Sequence, residues 1–79
     1  ATLAGTTVTM ETPSATLENT PAADATFSVT GDGVILGARL AVTNKAADKK
    51  ITIGGVEVPG GKTVTLGYDG KKWFKSAEA

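Results

Sequence analysis

An all-β domain with very low helix content is what this chain predicts, and three observations predict it. Ten glycines and thirteen threonines favour turns and pleated surfaces over helices. Apolar and polar residues alternate with a period of two through much of residues 25–74. Strand-length runs are punctuated by Gly-Asp-Gly, Gly-Gly, Pro-Gly-Gly and Asp-Gly, which is β-protein turn chemistry. The architecture expected is a small antiparallel β-sandwich or barrel of about six or seven short strands, with an extended N-terminal arm.

Each element follows from its residues. Residues 1–10 are threonine-rich and weakly alternating, and Val8 and Met10 can share one face of a short strand. Residues 11–25 hold two prolines among small polar residues, so residues 1–25 read as an extended arm or linker with one possible short strand. The β-domain is expected over residues 26–75. Phe27 and Val29 alternate with Thr26, Ser28 and Thr30 before a turn at Gly31-Asp32-Gly33. Val34, Leu36, Ala38, Leu40 and Val42 then share one parity and predict a continuous strand, closed by a polar loop from Asn44.

The last thirty residues carry the firmest pattern. A two-residue turn at Gly54-Gly55 pairs Ile53 with Val56, Thr52 with Glu57 and Ile51 with Val58. Pro59-Gly60-Gly61 ends that hairpin, and Val64, Leu66 and Tyr68 alternate up to Asp69-Gly70. The same arithmetic pairs Tyr68 with Lys71, Gly67 with Lys72 and Leu66 with Trp73. Trp73, Leu66, Tyr68, Asp69 and Gly70 are thus expected to close the structure, with Trp73 covering Leu66. Ser76 to Ala79 read as a polar tail.

At 79 residues the chain is one domain at most, and its own core is thin. It has no cysteine and no histidine, which removes disulfides, thiolate metal sites and the usual general base. A partner subunit is the remaining staple for so small a scaffold. Net charge is zero, but residues 1–38 carry four acids (Glu11, Glu18, Asp24, Asp32) and no base. Residues 39–79 carry eight bases against four acids, so the halves stand at −4 and +4. Either the halves neutralise each other within one fold, or an acidic arm of one subunit lies on the basic body of the next. The second arrangement makes Phe74, Lys72, Arg39, Glu11 and Glu18 the candidate interface residues. Phe74 belongs there because its parity turns it away from the face that holds Trp73.

Catalytic constellations are missing. Gly60-Gly61-Lys62-Thr63 ends like a phosphate-binding loop, but Val56 stands where the first glycine should be, and the stretch joins two strands. The carboxylates are scattered, and Asp32 and Asp69 each precede a turn glycine, where aspartate bonds its own backbone. Asp24 and Asp32 lack the alternating donors of a calcium loop. Trp73, Phe74 and Tyr68 interleaved with lysines could stack on nucleotides, but Lys72 and Trp73 fall on opposite faces and the isoelectric point is about 6.4. No apolar run approaches the ~20 residues that span a bilayer, and residues 1–30 show no signal-peptide pattern. Read as a complete chain, Ala1 follows methionine removal and synthesis is cytosolic. The chain is therefore not expected to be an enzyme, and no cofactor, metal, nucleic acid or membrane partner is expected.

Residues 37–74 read GARLAVTNKAADKKITIGGVEVPGGKTVTLGYDGKKWF. Asn44 ends a strand, Ile51, Ile53, Gly55 and Val58 mark a hairpin, Pro59-Gly60 a turn, Val64 a strand, and Asp69, Gly70 and Trp73 a closing "DG-x-x-W" hairpin. This resembles small β-rich structural modules of tailed-bacteriophage virions: capsid decoration (cement), head-fibre and tail-fibre proteins. The resemblance implies a homo-oligomer, commonly a trimer, that binds the major capsid protein or another virion protein. It would be made in the host cytoplasm and end on the virion. A carbohydrate-binding or adhesin module, with Trp73, Tyr68 or Phe74 as a sugar platform, is the alternative.

Overall fold

The computed structural model describes residues 1–79. Nine strands and no helix make up the fold: β1 (Thr2–Ala4), β2 (Thr7–Thr9), β3 (Ser14–Asn19), β4 (Ala25–Thr30), β5 (Arg39–Asn44), β6 (Ile51–Ile53), β7 (Val56–Val58), β8 (Thr63–Tyr68) and β9 (Trp73–Glu78). They form a five-stranded sheet in the order β1-β2-β4-β6-β7 and a four-stranded sheet in the order β3-β5-β8-β9.

The sheets are mixed, not antiparallel. The chain crosses from one sheet to the other and back between β2 and β6. Strands two apart in sequence therefore run the same way and pair in parallel: β2 with β4, β3 with β5, and β4 with β6. A parallel pair needs a crossover, usually a helix; here a strand of the opposite sheet serves. Antiparallel hairpins finish both ends, β1–β2 at one and β6–β7 and β8–β9 at the other.

The expected arm is folded into this coil. Residues 1–25 contribute β1, β2 and β3, and Val8 and Met10 are fully buried while Leu17 is nearly so. Their spacing is too short and too small-residued to look like core by itself, but parallel stacking on β4 and β5 buries it. The expected polar tail is likewise strand: β9 runs to Glu78, and Thr63 and Ala79 exchange backbone hydrogen bonds of 3.1 and 2.8 Å.

One core lies between the sheets. Val8, Phe27, Ile51, Ile53 and Val58 come from the five-stranded sheet, and Leu17, Leu40, Val42, Val64, Leu66 and Trp73 from the other. Each fully buried aliphatic side chain contributes about 1.5–3 kcal/mol of transfer free energy. The outward residues of β2, β4 and β6 are Thr7, Thr9, Thr26, Ser28, Thr30 and Thr52, so the opposite face of that sheet is largely hydroxylated, with Glu57 of β7 its charged residue beside Thr52.

The β6–β7 hairpin has the register read from the sequence, Ile53 opposite Val56 and Ile51 opposite Val58. Gly54 and Gly55 both adopt positive φ, 57° and 82°, as a two-residue type I′ turn requires. The closing hairpin differs. Tyr68 pairs with Trp73, Gly67 with Phe74 and Leu66 with Lys75, across a four-residue loop. No residue other than glycine has positive φ, so Asp69 cannot sit in the first central position of a type I′ turn. The register therefore moves by two. Over Leu66–Tyr68 this even shift keeps side chains on their faces, so Trp73 still points inward, beside Tyr68 instead of opposite Leu66, and a bulge between Thr65 and Leu66 changes the register beyond.

Residues 34–44 also differ from the continuous strand expected. Positive φ at Gly37, 86°, breaks the alternation, and β5 starts only at Arg39. Leu36 shares parity with Leu40 but lies outside the strand, 75% exposed.

Candidate functional site

The closing residues are held by two aromatic contacts with glycines. Trp73 is 9% exposed and stacks at a tilt on Tyr68, with ring centroids 4.9 Å apart. Its ring lies so close over Gly54 that a Cβ there would stand 2.6 Å from Cδ1. On the other face Phe74 covers Gly67, where a Cβ would stand 2.7 Å from Cζ. The last strand thus seals the interior with one aromatic residue and covers backbone on the exterior with the next. Leu66 is fully buried below.

Asp69 organises the loop between β8 and β9. Its Oδ1 accepts the backbone N–H of Lys71 and of Lys72, both at 2.8 Å, and its own N–H donates to the Lys72 carbonyl at 3.1 Å. The Lys72 and then the Lys71 amide hold the Asp69 carboxyl below the usual carboxylate range. Lys71 and Lys72 are thereby fixed on a rigid, exposed loop.

Three chain segments stack at this end of the molecule. Residues 10–13 lie against 31–37, where Gly33 donates to the Met10 carbonyl at 2.9 Å and Arg39 to the Pro13 carbonyl at 2.7 Å. A side chain at Gly33 would meet the Thr12 carbonyl at 2.1 Å, so only glycine allows this approach. Residues 31–37 in turn lie against 68–72: Gly37 donates to the Tyr68 carbonyl at 2.9 Å, and Leu36 Cδ1 lies 3.7 Å from the Cβ position of Gly70. The order across the end is Glu11, then Asp32, then Ile35 and Leu36, then Gly70, Lys71 and Lys72.

The candidate interface residues are thus partly gathered. Phe74 is 46% exposed and shares a row across the sheet with Arg39, through Gly67. Arg39 Nη1 reaches Ser76 Oγ only weakly, at 3.5 Å. Arg39, Tyr68, Phe74 and Ser76 line a shallow cleft of about 70 Å³, small beside the roughly 300–1,000 Å³ of ligand pockets. Lys72 and Glu11 belong to the stacked end. Glu18 does not: it lies toward the far end of β3, opposite Thr43. Sequence reasoning missed Ile35 and Leu36, the former 49% exposed, and the only signal for them was the glycine that interrupts their strand.

Charge is arranged tellingly. The two ion pairs, Lys50–Glu57 at 3.7 Å and Lys75–Glu78 at 3.0 Å, both lie within residues 39–79. No ion pair joins the acidic half to the basic half. Asp24 accepts the Lys50 backbone N–H at 3.1 Å, a hydrogen bond and not an ion pair. No three carboxylates converge where a metal could sit.

Asn44 is the one buried polar side chain. Its Nδ2 donates to the carbonyls of Lys49 at 2.7 Å and Val58 at 3.2 Å, and its Oδ1 accepts the Ala46 N–H at 3.0 Å. It ties β5 to the following loop and to β7, a structural duty. Comparison with protein-family models, with curated proteins and with solved structures finds no match.

Proposed function

We propose that this chain is a non-enzymatic structural protein of a tailed-phage virion, a decoration (cement) or head-fibre protein that binds the capsid surface as a homo-oligomer. The observation that carries the reading is the distribution of surface chemistry. Threonines and a serine line the outward side of β2, β4 and β6, while the large exposed apolar side chains Ile35, Leu36 and Phe74 lie near one end with Arg39, Lys71 and Lys72, none of them in an ion pair. An exposed apolar group of this kind supports docking to a partner. The virion context and the trimeric state come from the resemblance of residues 37–74. Co-sedimentation of the purified chain with particles of the phage or prophage whose genome encodes it tests the reading. Saturable binding supports it, and a chain that stays in the supernatant at every ratio removes it.

A carbohydrate-binding role is the second reading. The observation that favours it is Phe74, a ring lying on Gly67 with Arg39 and Ser76 alongside. Burial of Trp73 weighs against a platform at that residue. Glycan binding lost in Phe74→Ala, with capsid binding absent, would select this reading.

A further inference from the structure

From the stacked end we infer that two copies of this chain meet end to end about a twofold axis. The inference rests on the self-assembly half of the function proposed above and not on its capsid half. Across that end, acidic side chains (Glu11, Asp32) occupy one side, an exposed apolar pair (Ile35, Leu36) the middle, and basic side chains (Lys71, Lys72) the other. None of these four charged residues has an ion-pair partner within its own chain.

Such an order is self-complementary. A twofold axis through the middle reverses the sequence of the strip, so acids of one copy meet bases of the other, twice, while Leu36 packs on Leu36. That is the isologous geometry of the commonest oligomers, in which one patch serves both subunits. The middle supplies apolar contact, with Leu36 the most exposed large apolar side chain of the fold. The flanks fix register and orientation, because any parallel arrangement sets like charges together. Rigidity helps: Asp69 pins Lys71 and Lys72, and the backbone contacts of Gly33 pin the acidic side, so little order is lost on contact. The strip is small beside a standard interface of about 1,600 Å², so the contact is weak, concentration-dependent and salt-sensitive. A threefold contact elsewhere is compatible with it, and where the twofold axis meets the threefold at a right angle the paired trimer is a hexamer.

Sedimentation equilibrium on the full chain tests it. The mass at high concentration should be twice that of the unit left after Leu36→Asp, a substitution at an exposed position that leaves far-ultraviolet circular dichroism and Trp73 emission unchanged. Lys71→Glu with Lys72→Glu should halve the mass, and so should Glu11→Lys with Asp32→Lys. Mixing these two charge-reversed proteins should restore the doubled mass, because one then presents only acids and the other only bases. A mass unaffected by Leu36→Asp, failure of the mixture to associate, or a monomer up to millimolar concentration overturns the contact. Capsid co-sedimentation of the same variants keeps the two readings apart: particle binding that survives while the mass halves leaves the capsid role standing without the twofold contact.

Discussion

Asn44 is the residue whose loss the fold should feel most for its size. Its amide is fully buried and makes three hydrogen bonds. Truncation in Asn44→Ala strands the Val58 carbonyl and the Ala46 N–H out of reach of water, while the Lys49 carbonyl, at a partly buried site, can be rehydrated. At roughly 1–3 kcal/mol for each buried group left unpaired, the loss is about 3–4 kcal/mol. Unfolding entropy near 2.1 cal/mol/K per residue turns this into a fall of about 20 °C in Tm. Asn44→Asp separates hydrogen bonding from volume. It keeps the acceptor for Ala46 but aims a second oxygen at two carbonyls. At neutral pH the variant should be less stable than Asn44→Ala. Burial beside carbonyls holds the new carboxyl protonated in the folded state above the unfolded value of about 3.9. The folded protein then binds more protons than the unfolded one, so stability falls as pH rises. Urea titrations followed by the single tryptophan check this. An Asn44→Ala protein within about 1 kcal/mol of the parent, or an Asn44→Asp protein equally stable at about pH 4 and pH 7, would refute the reasoning.

Other outcomes follow from the closing strand and its loop. Trp73→Ala should cost about 3–5 kcal/mol, read from urea midpoints by circular dichroism; an unchanged midpoint contradicts the sealing role. Gly54→Ala should lose about 2–4 kcal/mol, because it combines left-handed backbone strain with a clash on Trp73. Gly55→Ala, with positive φ but no neighbour within 4 Å, should lose only the backbone share of about 1–2 kcal/mol, and equal losses would remove the Trp73 contact from the account. Asp69 has its carboxyl held low in the fold, so its contribution is present above the unfolded carboxylate range and disappears as pH drops through the folded value. Asp69→Asn should therefore flatten the acid limb of a Tm-against-pH curve, and an acid limb as steep as the parent's would show that Asp69 does not shape it.

What was legible in the sequence was local. The Gly54-Gly55 turn fixed its own register because two adjacent glycines specify one turn type. Asp69-Gly70 looked similar but was not, because one glycine supplies one positive φ and the aspartate side chain recruits the amides of Lys71 and Lys72. Parallel pairing was invisible for a different reason. Alternation says which face of a strand is buried, but it is the same for a parallel and an antiparallel neighbour. The crossovers at 10–13 and 20–24 carry prolines and polar residues, as a linker does, so β1 to β3 read as an arm. The candidate site was half legible: Phe74 and Lys72 came from parity and charge, whereas Leu36 was hidden inside an alternation that Gly37 ends.

The edges of the two sheets give the last step. Unpaired strand edges invite addition of further chains, and proteins blunt them by shortness and charge. β1 and β7, the edges of the larger sheet, are three residues each. The longer edges, β3 and β9, carry Glu18 and the Lys75–Glu78 pair. Edge-to-edge growth into fibres is therefore discouraged at all four places. The stacked end has no such protection: its apolar middle is exposed and its charges are unpaired, but opposite in sign across the strip. A surface arranged this way caps itself once one partner is bound, since a twofold contact uses the whole patch on both subunits. On the twofold contact proposed above, self-association would close at that end rather than grow by strand addition.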